Sequence, residues 1–350
     1  MPSVGTQAFY ILFAESILSP EWPAKLCQNN GRGPQGTECV DARSYKDGVF
    51  IASPQNMTKD LIAKVKRDVP GSSVVAYWDF GDIPLPPSAE CPFCRGHIMG
   101  DRPNRNCSTT YKCGPSPFLS ALHATFPTRL AVHDITNSTP GVCIESYPGL
   151  AKYIWTAESA PLLADFLGGW LTENGFDGLY LDGYAQPNLV DFHQCTLKEE
   201  GCQSFMKPGR SYDIDGDGVA DSPEEIYGAY FAWGPAFVAQ MRKTLGADGI
   251  LLANSAGSVS DTSLSGVTIE MEMCVAKRGG ERKCADALGA QRLASDSALG
   301  GGVAPLSVLW LTHSEAMPAK EQCATVARLQ QQYPWVQAGT DFFDGSHVVC

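Results

Sequence analysis

Short apolar runs, rich in β-branched and aromatic residues, recur eight times along this chain, with helical patterns between several of them. They are FYILFAES (9–16), VVAYWDFG (74–81), LAVHDITN (130–137), GLYLDGY (178–184), ILLANS (250–255), GVTIEMEM (266–273), PLSVLWLTH (305–313) and VQAGTDFF (336–343). Most are nearly unbroken in apolar character, as parallel strands covered on both faces must be. Helical spacing marks TKDLIAKVKRD (58–68) after a Thr58 cap, and SAPLLADFLGGWLTENG (159–175), with Ser159 at the cap and Gly175 at the stop. It also marks PEEIYGAYFAWGPAFVAQMRKTLG (223–246), acidic at its start and basic near its end, and AKEQCATVARLQQQY (319–333). This alternation predicts an α/β fold: one domain over 1–350, a (β/α)8 TIM-type barrel, with an open doubly wound sheet as the alternative. The link from 255 to 266 is too short for a full helix.

Three segments read as insertions after strands, where a barrel builds its active face: 17–57, 82–128 and 185–222. They carry many of the 13 cysteines, a number that predicts disulfides and an oxidising, secreted or cell-surface setting. Three N-x-[ST] triplets, at Asn56, Asn106 and Asn137, fit a glycoprotein. An odd cysteine count leaves at least one thiol free or paired to another chain, and so an opening for an extracellular protein partner. No basic-then-apolar leader opens the chain, so a signal peptide is expected outside this numbering. No 18-residue apolar run predicts a transmembrane helix. The net charge of −12 argues against a nucleic-acid partner and against an anionic membrane surface.

The stretch DIDGDGVADSPE (213–224) matches the calcium-loop pattern D-x-[DN]-x-[DN]-G-x5-E. Asp213, Asp215 and Asp217 would supply side-chain oxygens, Gly218 the sharp turn and Val219 its carbonyl. Asp221 would act directly or through water, and Glu224 would close the site. Hard oxygen donors favour structural Ca2+ over zinc, and only an exiting helix follows, so this reads as one EF-hand-like loop pinning the 223–246 helix.

Strand parity sorts the remaining acids. In 178–184, Leu179 and Leu181 share one face, Tyr180 and Asp182 the other; outside a barrel aliphatics meet helices, so Asp182 points inward near the exit rim. In GVTIEMEM, Thr268, Glu270 and Glu272 point inward by the same test. Asp79 shares its face with Tyr77, Asn254 closes the fifth predicted strand, His313 the seventh, and Asp341 lies in the eighth. Two carboxyls across a pocket suit glycoside hydrolysis: one protonates the leaving oxygen, the other stays ionised as nucleophile or base. A separation of about 5 Å implies retention and roughly 6.5–9.5 Å inversion. Tyr77 and Tyr184 could stack on sugar, whereas the parity of Trp78 points it outward, toward core.

GFDGLYLDGY, then ILLANSAG, then GVTIEMEM, resemble the strands of a family of glycoside hydrolase barrels, many of whose members are uncharacterised. The resemblance covers roughly 74–80 and 170–275. It implies a barrel and a carbohydrate site, with Asp182 as the fourth-strand acid, Asn254 as a positioning residue and Glu270 as the sixth-strand acid. The Glu270–Met271–Glu272 doublet departs from the pattern and leaves both glutamates open. Asp177 matches the first Asp of the motif but precedes the strand, and reads as a linker residue. The expected function is a secreted glycoside hydrolase-like protein acting on a poly- or oligosaccharide; the alternative is a non-catalytic extracellular carbohydrate-binding or structural barrel. CPFC (91–94) has metal-like spacing, but in a secreted chain it reads as disulfide cysteines. No G-x-S-x-G supports a serine hydrolase.

Overall fold

The computed structural model describes residues 9–12, 17–27, 39–55, 57–80, 82–84, 117–127, 129–130, 132–136, 142–143, 145–147, 150–184, 209–254, 263–270, 281–282, 284–286, 288–289, 308–311, 319–334 and 337–340. Eight strands form one parallel sheet in chain order: β1 Phe9–Leu12, β2 Val49–Ala52, β3 Ser73–Asp79, β4 Gly178–Asp182, β5 Ile250–Asn254, β6 Gly266–Glu270, β7 Val308–Leu311 and β8 Gln337–Thr340. The sheet curls until β1 and β8 come into contact. Helices are α1 Lys59–Asp68, α2 Pro117–Thr125, α3 Ala160–Asn174, α4 Pro223–Leu245 and α5 Ala319–Gln332.

Two assignments are corrected. The second strand of the parallel sheet is Val49–Ala52, inside the segment expected as an insertion at 17–57, and the described residues of 130–137 give that sheet no strand. All four side chains of VFIA are buried, and β2 pairs with β1 and β3 on its two edges, so a four-residue run suffices when both neighbours hold it. Among the described residues of 130–137, His133–Asp134 forms a strand, pairing antiparallel with Tyr212–Asp213 and Val142–Cys143. Both His133 and Asp134 are only half-buried, because polar residues interrupt the apolar run there.

The chain falls into two compact units, residues 1–78, 168–182 and 245–350 in the first, and 79–167 and 183–244 in the second. The first holds the sheet. Its α1 starts as the sequence predicts: the Thr58 hydroxyl accepts from the Leu61 amide at 3.3 Å, and Ile62 and Val65 are the buried side chains. The second unit is built round an aromatic cluster. Phe80 stacks on Trp233 at 3.8 Å and 4°, with Phe237 edge-on to both, and Tyr153 meets Trp233 at 61°. The α4 helix carries Trp233 and Phe237 and continues through Pro235. Cys284, buried, and Cys323 on α5 are each disulfide-bonded. Among the described residues, no helix is long and apolar enough to cross a membrane.

Candidate functional site

The approach to β4 is a run of four structural devices. Gly175, at φ +84°, ends α3: its amide donates to the Thr172 carbonyl, and the Phe176 amide to that of Leu171, a paired closure that needs a left-handed residue. Phe176 is buried and its ring lies 6.1 Å from Trp170, the apolar contact that accompanies this closure. Asp177 then clasps two elements. Its Oδ2 accepts from the Val74 amide at 2.8 Å, its own amide donates to the Val74 carbonyl at 2.8 Å, and Lys66 Nζ on α1 reaches Oδ1 at 2.7 Å. The Ile250 amide donates to the Asp177 carbonyl at 2.9 Å, so this one residue sets the start of β4 against both β3 and β5. Gly178 follows because a Cβ there would collide with the Ile250 carbonyl oxygen.

Beyond these devices β4 alternates. Leu179 and Leu181 are 1% and 0% exposed on one face. On the other, Tyr180 and the half-buried Asp182 meet residues of three further strands. The Tyr77 hydroxyl on β3 donates to Asp182 Oδ2. Asn254 Nδ2, at the end of β5, donates to Asp182 Oδ1 at 2.9 Å. The Tyr180 hydroxyl and Thr268 Oγ1 on β6 are hydrogen-bonded at 3.1 Å, both buried. The rings of Tyr77 and Tyr180 lie 5.8 Å apart at 31°. One carboxylate therefore has a donor on each oxygen, an arrangement that fixes its plane and presents it as an acceptor.

The other candidates are placed as follows. Glu270 is the last residue of β6, two beyond Thr268, with Trp310 as its backbone partner on β7. Glu272, His313 and Asp341 lie outside the described residues. Asp79 ends β3 half-buried, and its carbonyl accepts from the Tyr153 hydroxyl at 2.8 Å. Tyr184 is 3% exposed, its ring 5.1 Å from Phe80 and edge-on to it, beside Gly234. That position is aromatic core of the second unit. Trp78 is buried as well.

In the acidic loop, Asp213, Asp215 and Asp221 each bring an oxygen within 4.8 Å of the others, and Asp213 is 3% exposed. The strand pairing with His133–Asp134 and the bridge from Tyr212 to Asp221 set the loop's two ends side by side. Asp213 accepts from the amides of Asp215, Gly216 and Gly218, and Gly216 and Gly218 take φ +77° and +84° to aim them. Burial above all, then the charges of Asp215, Asp213 and Glu225, push the Asp221 carboxyl up against the pull of its hydrogen bond from the Ile214 amide. Asp217 is exposed and accepts from the Val219 amide; Val219 is exposed too. Glu224 is exposed in the first turn of α4, outside the gathered triad. Its neighbour Glu225 closes a capping box with Ser222: the Ser222 amide reaches Glu225 at 2.8 Å, and the Ser222 hydroxyl accepts from the Glu225 amide at 3.2 Å.

Lys66 was not legible as a partner of Asp177, since 111 positions separate them and nothing local links them. The Tyr180–Thr268 bond is the other addition. Parity puts both residues inward, but only the register of β4, β5 and β6 makes them meet.

No protein-family model matches the sequence, and no curated protein matches it. Solved structures overlay loosely. The glycoside hydrolase domain of PelA from Pseudomonas aeruginosa covers 85% of this chain and 88% of its own, at 14% identity and TM-score 0.40. The noncanonic maltogenic alpha-amylase AmyB from Thermotoga neapolitana covers 97% and 68%, at 9% identity and 0.42. The GH31 alpha-xylosidase from Xanthomonas citri covers 97% of this chain and 33% of its own, at 8% identity and 0.42. Likenesses this loose pass no residue role, substrate or activity to this chain.

Proposed function

We propose that the chain is a secreted glycoside hydrolase-like protein on a (β/α)8 barrel, in which Asp182 acts as the ionised carboxylate, nucleophile or base for water. The observation that carries this reading is the pair of donors, Tyr77 and Asn254, one on each oxygen of a half-buried Asp182 at the exit end of β4. A carboxylate held as a double acceptor suits the role that stays ionised rather than the role that donates a proton. The acid falls to Glu270, at the end of β6, or to Glu272. The test is hydrolysis of a panel of oligo- and polysaccharides, followed by new reducing ends. Wild type should cleave a member of the panel, and D182N should lose that turnover; equal turnover in the two overturns the role given to Asp182.

The acidic loop fits a hard cation: three carboxylate oxygens converge, one from a buried aspartate. Asp213, Asp215 and Asp221 would hold Ca2+, which would neutralise that charge and tie the loop to the start of α4. Chelation should lower the melting temperature and calcium restore it; no change with chelator overturns the metal reading.

A further inference from the structure

We infer that Tyr77 is the positioning residue of Asp182, and that the buried hydroxyl pair of Tyr180 and Thr268 braces it. The kinetic part of this inference rests on the glycosidase reading; the geometric part stands on the side chains alone.

A tyrosine near a carbohydrate site suggests a ring on which sugar stacks. Two observations assign Tyr77 otherwise. Its side chain is 4% exposed, so it offers almost no face to a ligand. Its hydroxyl proton is already given to Asp182. A phenol has one O–H, so Tyr77 has none left to donate to a substrate hydroxyl. The accessible member of the pair is Asp182, and the phenol stands behind it. Asn254, 7% exposed, takes the other oxygen. Two donors on two oxygens stop the carboxylate from turning about its last torsion, which is otherwise broad.

The brace follows from burial. Tyr180 is 1% exposed and Thr268 0%, so their hydroxyls must satisfy each other or other buried groups. Their 3.1 Å bond ties β4 to β6 across β5, and it fixes the Tyr180 ring that lies 5.8 Å from the ring of Tyr77. Tyr180 also stands two residues before Asp182 on the same face of the same strand. A shift of the brace therefore moves both the phenol and the strand that carries the carboxylate.

The experiment uses the full chain and two readouts. In proton NMR, the Tyr77 hydroxyl should give a resonance downfield of the amide envelope, lost in Y77F and displaced in D182N. Y180F and T268V should each broaden or displace it, and Y180F/T268V, which leaves neither hydroxyl stranded, should do no more than the worse single variant. On the panel member that wild type cleaves, Y77F should lower kcat about 100-fold with KM within about threefold, the signature of a misplaced reacting group rather than lost binding. A raised KM with kcat unchanged makes Tyr77 a substrate contact and overturns the inference. So does a downfield resonance that is absent from wild type or unmoved in D182N. If wild type cleaves nothing while the resonance behaves as described, the glycosidase reading fails and the positioning of Asp182 by Tyr77 survives.

Discussion

The two acids of GFDGLYLD bracket one strand and are answered in opposite ways. Asp177, at the entrance, meets a lysine ammonium and a backbone amide. Asp182, at the exit, meets a phenol and a carboxamide. A cation cancels the charge it binds, whereas a neutral donor orients the charge and leaves it in place. The first arrangement suits holding strands together; the second suits a charge that a substrate will use. Residue type does not distinguish them, and neither does the burial of the surrounding strand. The donors do.

The largest effect that could break this contrast is kinetic. D182N should cost turnover about 1,000-fold or more, roughly 4 kcal/mol of barrier, with little change in melting temperature. D177A should leave kcat of the folded protein within about twofold. Equal losses in both variants would erase the distinction.

Asp213 sharpens the comparison from a third side, because backbone amides answer it in a loop where acids crowd together. Calcium removal should lower the melting temperature by about 5 °C from a state loaded at 100 times Kd, where binding adds about 2.7 kcal/mol. D213N/D221N should abolish the response to chelator.

A smaller effect is expected at the entrance. D177A should cost about 2 kcal/mol, because it strands the Val74 amide and leaves the Lys66 ammonium only the Gly175 carbonyl and water. K66M should cost about half of that, since both partners are about one-third exposed and the ion pair is screened. A double-mutant cycle read by denaturant unfolding should return a coupling of opposite sign to the single losses; strict additivity would mean that Lys66 and Asp177 do not act together.

The smallest effect concerns Asp68, a further acid answered by a cation. Burial alone would raise its carboxyl, but hydrogen bonds from Lys64 and from the Trp22 indole, with the charges of Lys64 and Arg67, outweigh burial and hold it below the ordinary carboxylate range. A folded-state value below the unfolded one means that the unfolded chain binds the proton first on acidification. The contribution is therefore present above the ordinary carboxylate range and is lost as pH falls through the lowered value. Wild type should lead D68N by about 1 kcal/mol near neutrality, and the gap should close in acid. A gap that does not change with pH would remove the charge from the explanation.

The chain's own periodicity made seven of the eight sheet strands legible, because parallel strands covered on both faces must be apolar throughout. VFIA was lost because four residues between Gly48 and Ser53 make too short a run to stand out, and its stability comes from neighbours on both edges. LAVHDITN misleads for the converse reason: its apolar start reads as a strand, and the half-buried His133 and Asp134 break it. At the site, parity sufficed to set Tyr77, Tyr180, Asp182 and Thr268 on one face. It could not say that Tyr77 would give its proton to Asp182, because that depends on the stagger between β3 and β4, which parity does not encode. The spacing of the acidic loop was plain in sequence; which of its acids converge depends on backbone amides that spacing does not encode.

The approach to β4 has a consequence for reading kindred chains. Each letter of GFDG answers a need of assembly: a helix stop, an apolar plug, a clasp and a place where two backbones nearly touch. If Asp182 serves as proposed, a descendant carrying Asp182→Ala would lose that chemistry and keep all four letters, since none of the four devices touches that carboxylate. Used as a signature, GFDG would go on labelling retired enzymes as working ones. On the proposed reading, the letters that would separate the living from the retired are those at 77, 182 and 254, read together.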